Sequence, residues 1–484
     1  MAKEFKNYIN GKWTASSSGK MFEQRNPANL DEITGKWPSS TSEDAACAIE
    51  AAGEAFEQWS SLTVYKRAEY LRNAVENMKK RRNEIAEVLT SENGKTITES
   101  KAEIDSAVKE ASFQVSEGIR MCGQTLPVAH EGVFAYEIRR PLGVVGVIMP
   151  WNFPFNIPSR KCVPALVSGN TCVLKPASLT PQTGAKFVEL FDDAGIPAGV
   201  INFVAGGGST VGNELTSNPA IKAISFTGST EIGRAIHRKA AEIMARTQLE
   251  MGGKNPVVVL DDADIDEAAA SAVKAAFACA GQWCASTSRV IAIRSVAGEL
   301  IKRIVEKTRE IVVGDGRDET TIMGPVCGKD QAKIVTKYIE TGTKEGAHLE
   351  IGGNRLKNGV LAKGCFVEPT VFSNVDPDMT IAKEEIFGPV LSIIEVDDFD
   401  EALRVANRTD FGLTSSVYTK DLGKAMRFLE KIDTGLTHVN MMTAYKEPQF
   451  SFGGVKHSGH GGPEAGKSGI QFFTEHKVAY IKYQ

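Results

Sequence analysis

The chain has 484 residues, room for about three structural units at ~150 residues per domain. Hydrophobic residues at 42% and charged residues at 24% supply a large core and argue against intrinsic disorder. With 56 Lys plus Arg against 60 Asp plus Glu, the net charge of −4 argues against a dedicated nucleic-acid binder or a polybasic membrane protein. Eight cysteines with no CxxC pair suggest neither a disulfide framework nor structural zinc. The opening MAKEFKNYINGKW lacks a signal-peptide pattern, and no stretch approaches ~20 uninterrupted apolar residues. The expected address is a reducing cytoplasm, with no membrane partner.

Residues 43–118 read as a helical block. The segments 43–59, 66–94 and 97–119 carry apolar residues at three- and four-residue steps, and Asn93-Gly94 ends the second. Strands follow at 133–138 and 144–149. A strict alternation comes next: strand 171–175, helix 181–193, strand 200–204, a short helix near 211–217, strand 223–226, helix 231–244, strand 257–260 and helix 264–280. Short apolar strands separated by helices indicate parallel βαβ units and an α/β fold. MGGKNP (251–256) breaks the pattern and marks a domain boundary. A second α/β series follows, with strands near 289–293 and 412–418. The tail 470–484 alternates and reads as a strand with one wet face, used either in subunit pairing or as an ordinary edge.

Four short segments carry candidate chemistry: PWNFP (150–154), LEMGGK (249–254), GQWC (281–284) and EEIFGP (384–389). Each is weak alone. A Cys in a small-residue loop is usually a small buried hydrophobe, and an Asn between two aromatics can simply cap a turn. Order and separation raise their weight. Together with YINGKW (8–13), LKPAS (174–178), FTGSTEIG (226–233) and FGGVKHSG (452–459) they resemble the aldehyde dehydrogenase superfamily over essentially the whole chain, and most closely its semialdehyde members. The resemblance implies a Rossmann-like cofactor domain (1–120 and 141–252), an α/β catalytic domain (253–455) and a small oligomerisation β-sheet (121–140 and 456–484).

It also implies roles. Cys284 is the expected nucleophile, forming a thiohemiacetal and then a thioester. The side-chain amide of Asn152 and the Cys284 backbone N–H are the expected oxyanion donors, and Glu250 the base that activates water. Cys279 reads as structural. On the cofactor side, FTGSTEIG follows a strand and opens a helix, so its N–H groups can meet a pyrophosphate. Gly228, Ser229 and Gly233 are expected to shape that contact. Gly206-Gly207-Gly208 with Gly212 resembles a phosphate loop without strict GxGxxG spacing. Lys175 matches the ribose-binding Lys, Glu385 and Phe387 the residues holding the nicotinamide ribose and ring, and Trp151 joins them. Ser178 stands where many NAD-preferring members carry Glu, so Lys175 can pair with a 2′-phosphate unopposed. NADP is therefore the favoured cofactor over NAD, unless Ser178 is only a turn residue.

For the substrate, Arg160 matches an Arg that binds the far carboxylate of succinate semialdehyde, its alternative being a structural ion pair. A second anion-binding Arg of that subfamily is replaced by Ala278. Trp283 narrows the pocket, and the loop 441–450 offers Tyr445 and Lys446. The expected substrate is a small aldehyde with an anionic far end, and the expected assembly a homodimer or homotetramer. His457 and His460 lack a third ligand, so no metal is expected. The competing readings are a general aldehyde dehydrogenase without anion preference, a CoA-acylating relative, which generally lacks the Glu at 250, and a non-catalytic relative, which need not keep nucleophile, base and oxyanion donor together.

Overall fold

The computed structural model describes residues 3–484. The chain opens with short strands between Asn7 and Pro38, ahead of anything the periodicity reads. Four helices follow: α1 Ser42–Ser61, α2 Val64–Lys80, α3 Arg82–Asn93 and α4 Ile97–Ile119. Local chemistry sets their ends. Thr41 with Asp44, and Thr96 with Glu99, form capping boxes at α1 and α4. Gly94 ends α3 at φ 95°, where a Cβ would also meet the rings of Pro27 and Pro325 at 2.8 Å. The segment read as one helix over 66–94 is two. It breaks at Arg81, whose guanidinium reaches Glu84, Glu189 and Asp193; that tertiary tie has no periodic signature.

An eight-stranded sheet forms the first layer. Its five central strands, in spatial order Ile201–Phe203, Thr171–Lys175, Val144–Ile148, Ile221–Thr227 and Arg246–Glu250, are parallel. Their near-continuous burial suits a sheet covered on both faces. Helix α5, Asn156–Val167, is buried along its whole length and packs against α4. The strand order reverses between Val144–Ile148 and Ile221–Thr227, so the loops after these two strands diverge and leave a crevice.

A seven-stranded sheet forms the second layer, with Pro256–Val259 and Arg289–Ile293 at its centre. A third sheet of three strands joins Thr474–Lys482 to Val133–Pro141 and then to Gln124–Thr125. Thr474–Lys482 has one open edge and carries exposed Val478, Tyr480 and Ile481, beside exposed Phe134 and Ile138.

Two more expectations are corrected. The helix read over 264–280 stops at Phe277. Cys279 and Ala280 then turn left-handed, at φ 52° and 54°, and Glu99 accepts from the Cys279 N–H at 2.6 Å. The alanine-rich run gives no stop signal, and the partner is distant in sequence. The tail 470–484 is not strand throughout: Gly466–Phe472 is helical, pinned to α4 where Gln114 donates to the Gly466 carbonyl at 3.0 Å. No helix among the described residues is long and apolar enough to cross a membrane.

Candidate active site

Cys284 stands between the two large sheets, just after the left-handed turn. The Asn255 amide donates to the Cys284 carbonyl at 2.7 Å and to the Ser286 carbonyl at 2.8 Å, which fixes the loop. Burial pushes the Cys284 thiol up to about 12, against the opposing pull of Arg160.

On one side of Cys284 lies a cleft of about 220 Å³ that also involves Trp151, Asn152, Gly228, Ser229, Glu385 and Phe387. It is the crevice at the strand-order reversal. Trp151 and Asn152 follow Val144–Ile148, and Gly228 and Ser229 follow Ile221–Thr227. Ser229 caps the helix Thr230–Glu242, and Gly233 sits in its first turn. Thr227 contributes a buried hydroxyl with no hydrogen-bond partner. The Glu385 carboxylate accepts from the Gly253 N–H at 3.0 Å, and burial pushes it up to about 7. A Cβ at Gly252 would fall 2.1 Å from Glu385 Oε2, so only glycine admits that carboxylate. Trp151 meets Phe387 edge-on at 5.3 Å.

Lys175, Ser178, Gly208 and Gly212 are not among the residues that line this cleft. Lys175 ends the strand Thr171–Lys175 with its ammonium on the Pro176 carbonyl at 3.0 Å. Burial lowers it to about 8. Gly212 lies against its side chain, Gly208 opens the single turn Gly208–Gly212, and Ser178 is exposed.

Asn152 is buried. One hydrogen of its amide goes to the Gln282 carbonyl at 3.1 Å, which leaves the other for a ligand. Glu250 ends the strand Arg246–Glu250. Its Oε2 is buried without a partner, and burial, reinforced by Glu464, holds the carboxyl well above the usual range.

On the other side of Cys284 is a cavity of about 290 Å³, lined by Phe153, Arg160, Trp283, Tyr445, Lys446 and Phe452 among others. Its base is an ion cluster. The Arg160 guanidinium donates through Nε to Glu110 at 2.9 Å and through Nη2 to Glu110 at 3.2 Å and to Asn156 at 3.0 Å. It also stacks on Phe452. Lys446 pairs with the same Glu110. Burial would raise the Glu110 carboxyl, but Arg160 and Lys446 outweigh it and hold it below the usual range. Burial, with Arg160 nearby, lowers Lys446 to about 8. Behind Arg160, Lys161 pairs with Glu464. Arg160 thus spends Nε and Nη2 on Glu110 and Asn156 while its Nη1 stands 3.8 Å from Glu464, and Lys446 shares the acceptors Glu110 and Asn156; both cations line the cavity. The Tyr445 hydroxyl turns away to Glu447 at 2.7 Å. Cys279 lines this cavity too. His457 contacts Arg234, and His460 meets His237 edge-on.

Sequence reasoning missed Glu103 and Glu110. Both lie on α4, seven residues apart, on the face that buries Ile104, Ala107 and Ala111. An acid repeating on an apolar stripe is the signal that could have found them.

The profile of the aldehyde dehydrogenase family matches residues 13–479. The chain belongs to the aldehyde dehydrogenase family. Among curated relatives of this aldehyde dehydrogenase, the alpha-ketoglutaric semialdehyde dehydrogenase of Bacillus subtilis is 44% identical, with 98% of each chain covered. Malonate-semialdehyde dehydrogenase 1 of Shouchella clausii is 38% identical, covering 99% of this chain and 97% of its own. Among solved structures, an Escherichia coli NADP dependent enzyme superposes with a TM-score of 0.96 at 35% identity, covering 99% of this chain and 98% of its own. An NAD-dependent aldehyde dehydrogenase from Sinorhizobium meliloti gives 0.97 at 34%, covering 100% and 95%. The chain therefore has the aldehyde dehydrogenase fold and is an oxidoreductase acting on aldehydes.

Proposed function

We propose that Cys284 is the nucleophile of an NAD(P)-dependent oxidation of a small aldehyde with an anionic far end to its carboxylic acid. The observation that carries this reading is that Cys284 lines both the cleft and the ion-based cavity. A carbonyl carbon held at its sulfur has the cavity on one side for its tail and the cleft on the other.

The residues of the cleft fit a nicotinamide dinucleotide. A crevice at a topological switch point, a helix N-terminus at Ser229, an unpartnered Thr227 hydroxyl and the Glu385 carboxylate match phosphate, ribose and ring. Lys175, Ser178, Gly208 and Gly212 would receive the adenosine side. With no acid at Ser178, we propose that NADP is accepted at least as well as NAD. Steady-state kinetics check this; a kcat/KM for NAD tenfold above that for NADP overturns it.

The Cys284 thiol passes its proton to solvent water, and the thiolate sulfur bonds to the carbonyl carbon while the carbonyl π pair moves to oxygen. The free hydrogen of the Asn152 amide and the Cys284 N–H meet that oxyanion. When bound, the dinucleotide supplies the hydride acceptor, leaving the acyl group on Cys284 as a thioester. Glu250 takes a proton from water, the water oxygen attacks the thioester, and the carbon–sulfur bond breaks to release the acid. Lys446 meets the anionic tail, and Arg160 holds Glu110, and through it Lys446, in place. Trp283 and Phe153, in contact at 5.2 Å between ring centres, form one aromatic wall beside the aldehyde. The relatives named above act, by their names, on semialdehydes that end in a carboxylate, which supports this class; the particular aldehyde is left to a substrate panel. The open, apolar edge at Thr474–Lys482 supports assembly as a homodimer or homotetramer through that strand.

The decisive experiment is to trap the acyl group. Glu250→Gln, incubated with succinate semialdehyde and NADP and without CoA, should accumulate the acyl mass on Cys284 by peptide mass spectrometry and release about one equivalent of reduced cofactor per chain. No acyl mass on Cys284 overturns the assignment. Faster wild-type turnover with CoA, yielding an acyl-CoA, favours the acylating reading instead.

A further inference from the structure

The turn that carries Asn152 is neither helix nor strand, and the carbonyls of Trp151 and Asn152 need donors from elsewhere. Both come from one short segment, Asn93 to Lys95, at the end of α3. The Asn93 amide donates to the Trp151 carbonyl at 2.8 Å. The Lys95 ammonium donates to the Asn152 carbonyl at 2.7 Å and to Glu103 at 2.6 Å, and lies 4.0 Å from the centre of the Phe153 ring. The other oxygen of Glu103 accepts from the N–H groups of Phe155 and Asn156, at 2.9 and 3.0 Å, where α5 begins. Lys95 and Glu103 are both fully buried. The backbone is therefore held just before, at and just after Asn152 by three side chains from outside the turn.

We propose that Lys95 is a positioning residue for the oxyanion. It touches neither aldehyde nor cofactor, and it acts by fixing the backbone from which the Asn152 amide projects. That amide spends one hydrogen on Gln282. The direction of its second hydrogen is then set by where the Asn152 backbone sits, and a preorganised donor contributes only when it points at the developing charge. Glu103 balances the buried ammonium, so the support carries no net charge into the site. Gly94 lets the chain turn sharply enough for Asn93 and Lys95 to reach adjacent carbonyls. The inference rests on the reading of Asn152 as the oxyanion donor.

A double-mutant cycle tests it. Asn152→Ala should lower kcat about 10²–10³-fold, as loss of one such donor does. Lys95→Met should lower kcat 10- to 100-fold, with the dissociation constant for NADP unchanged within twofold by fluorescence titration. In the Asn152→Ala background, Lys95→Met should cost less than threefold, because the group it aims is gone. Independent effects that multiply in the double variant overturn the proposal, as does a Lys95→Met enzyme with unchanged kcat. Should Lys95→Met alone fail to fold, Lys95→Met/Glu103→Gln removes both charges together and enters the same cycle with the same expectations. If Asn152→Ala alone costs less than tenfold, the oxyanion reading itself falls and takes the inference with it.

Discussion

On the cleft side of Cys284 the walls are strand ends, a helix start and glycine backbone; on the cavity side they are side chains from α4, α5 and the loop 441–450, joined by buried ion pairs. The cleft presents features common to many dinucleotide folds, because main-chain N–H groups and a switch point do not depend on which aldehyde is oxidised. The cavity has its own charge pattern. At its base Arg160 and Lys446 share Glu110, and Arg160 and Lys161 share Glu464. Cys284 lines both spaces.

Three measurements break or sharpen that contrast. Cys284→Ser should reduce aldehyde oxidation by about four orders of magnitude and leave NADP binding intact by fluorescence titration. Loss of both would show that the two sides are not separable at the thiol. Lys446→Met should raise KM for succinate semialdehyde by about tenfold, on the scale of losing a charge-assisted contact, and leave propanal unchanged. Equal losses would remove the tail from this side of the site.

The smallest effect is one of pH. Cys284 and Glu250 are both raised above their ordinary values, so the reactive thiolate and carboxylate become scarcer as pH falls. The kcat/KM for propanal should rise from pH 6 to pH 9. Lys446 is lowered to about 8, so its charge is present below that pH and lost above it. The ratio of kcat/KM for succinate semialdehyde to that for propanal should therefore fall several-fold between pH 7 and pH 9. A flat ratio would mean that the lysine charge does not select the substrate.

The same contrast decides what was legible in the sequence. Apart from Cys284 and Gln331, the residues lining the cleft sit in short strings, PWN, TGS and MG, with Glu385 and Phe387 two apart, so position along the chain indicates position in space. The cavity joins Glu110, Arg160, Lys446 and Glu464, spread over some 350 positions, and no local pattern links them. Arg160 was visible as a candidate, yet its Nε and Nη2 donors go to Glu110, about which the apolar period of 97–119 says nothing. The left-handed pair Cys279-Ala280 was hidden for a related reason: its partner, Glu99, lies 180 residues away. Of the strands before residue 39, Asn7–Ile9 and Lys12–Thr14 are too brief to show a period, and Met21–Asn26 and Asn29–Pro38 lack a strict apolar alternation.

The last stretch of chain has a practical consequence. Gly459 pairs with Glu250 itself, Glu464 joins the ion cluster behind Arg160, Gly466–Phe472 is fastened to α4, and Thr474–Lys482 runs out to an open sheet edge. Some twenty-five residues thus tether the strand end at Glu250 to the rim of the molecule. A bulky group placed on the strand Thr474–Lys482 itself would crowd that open edge, one short stretch of chain away from Glu250.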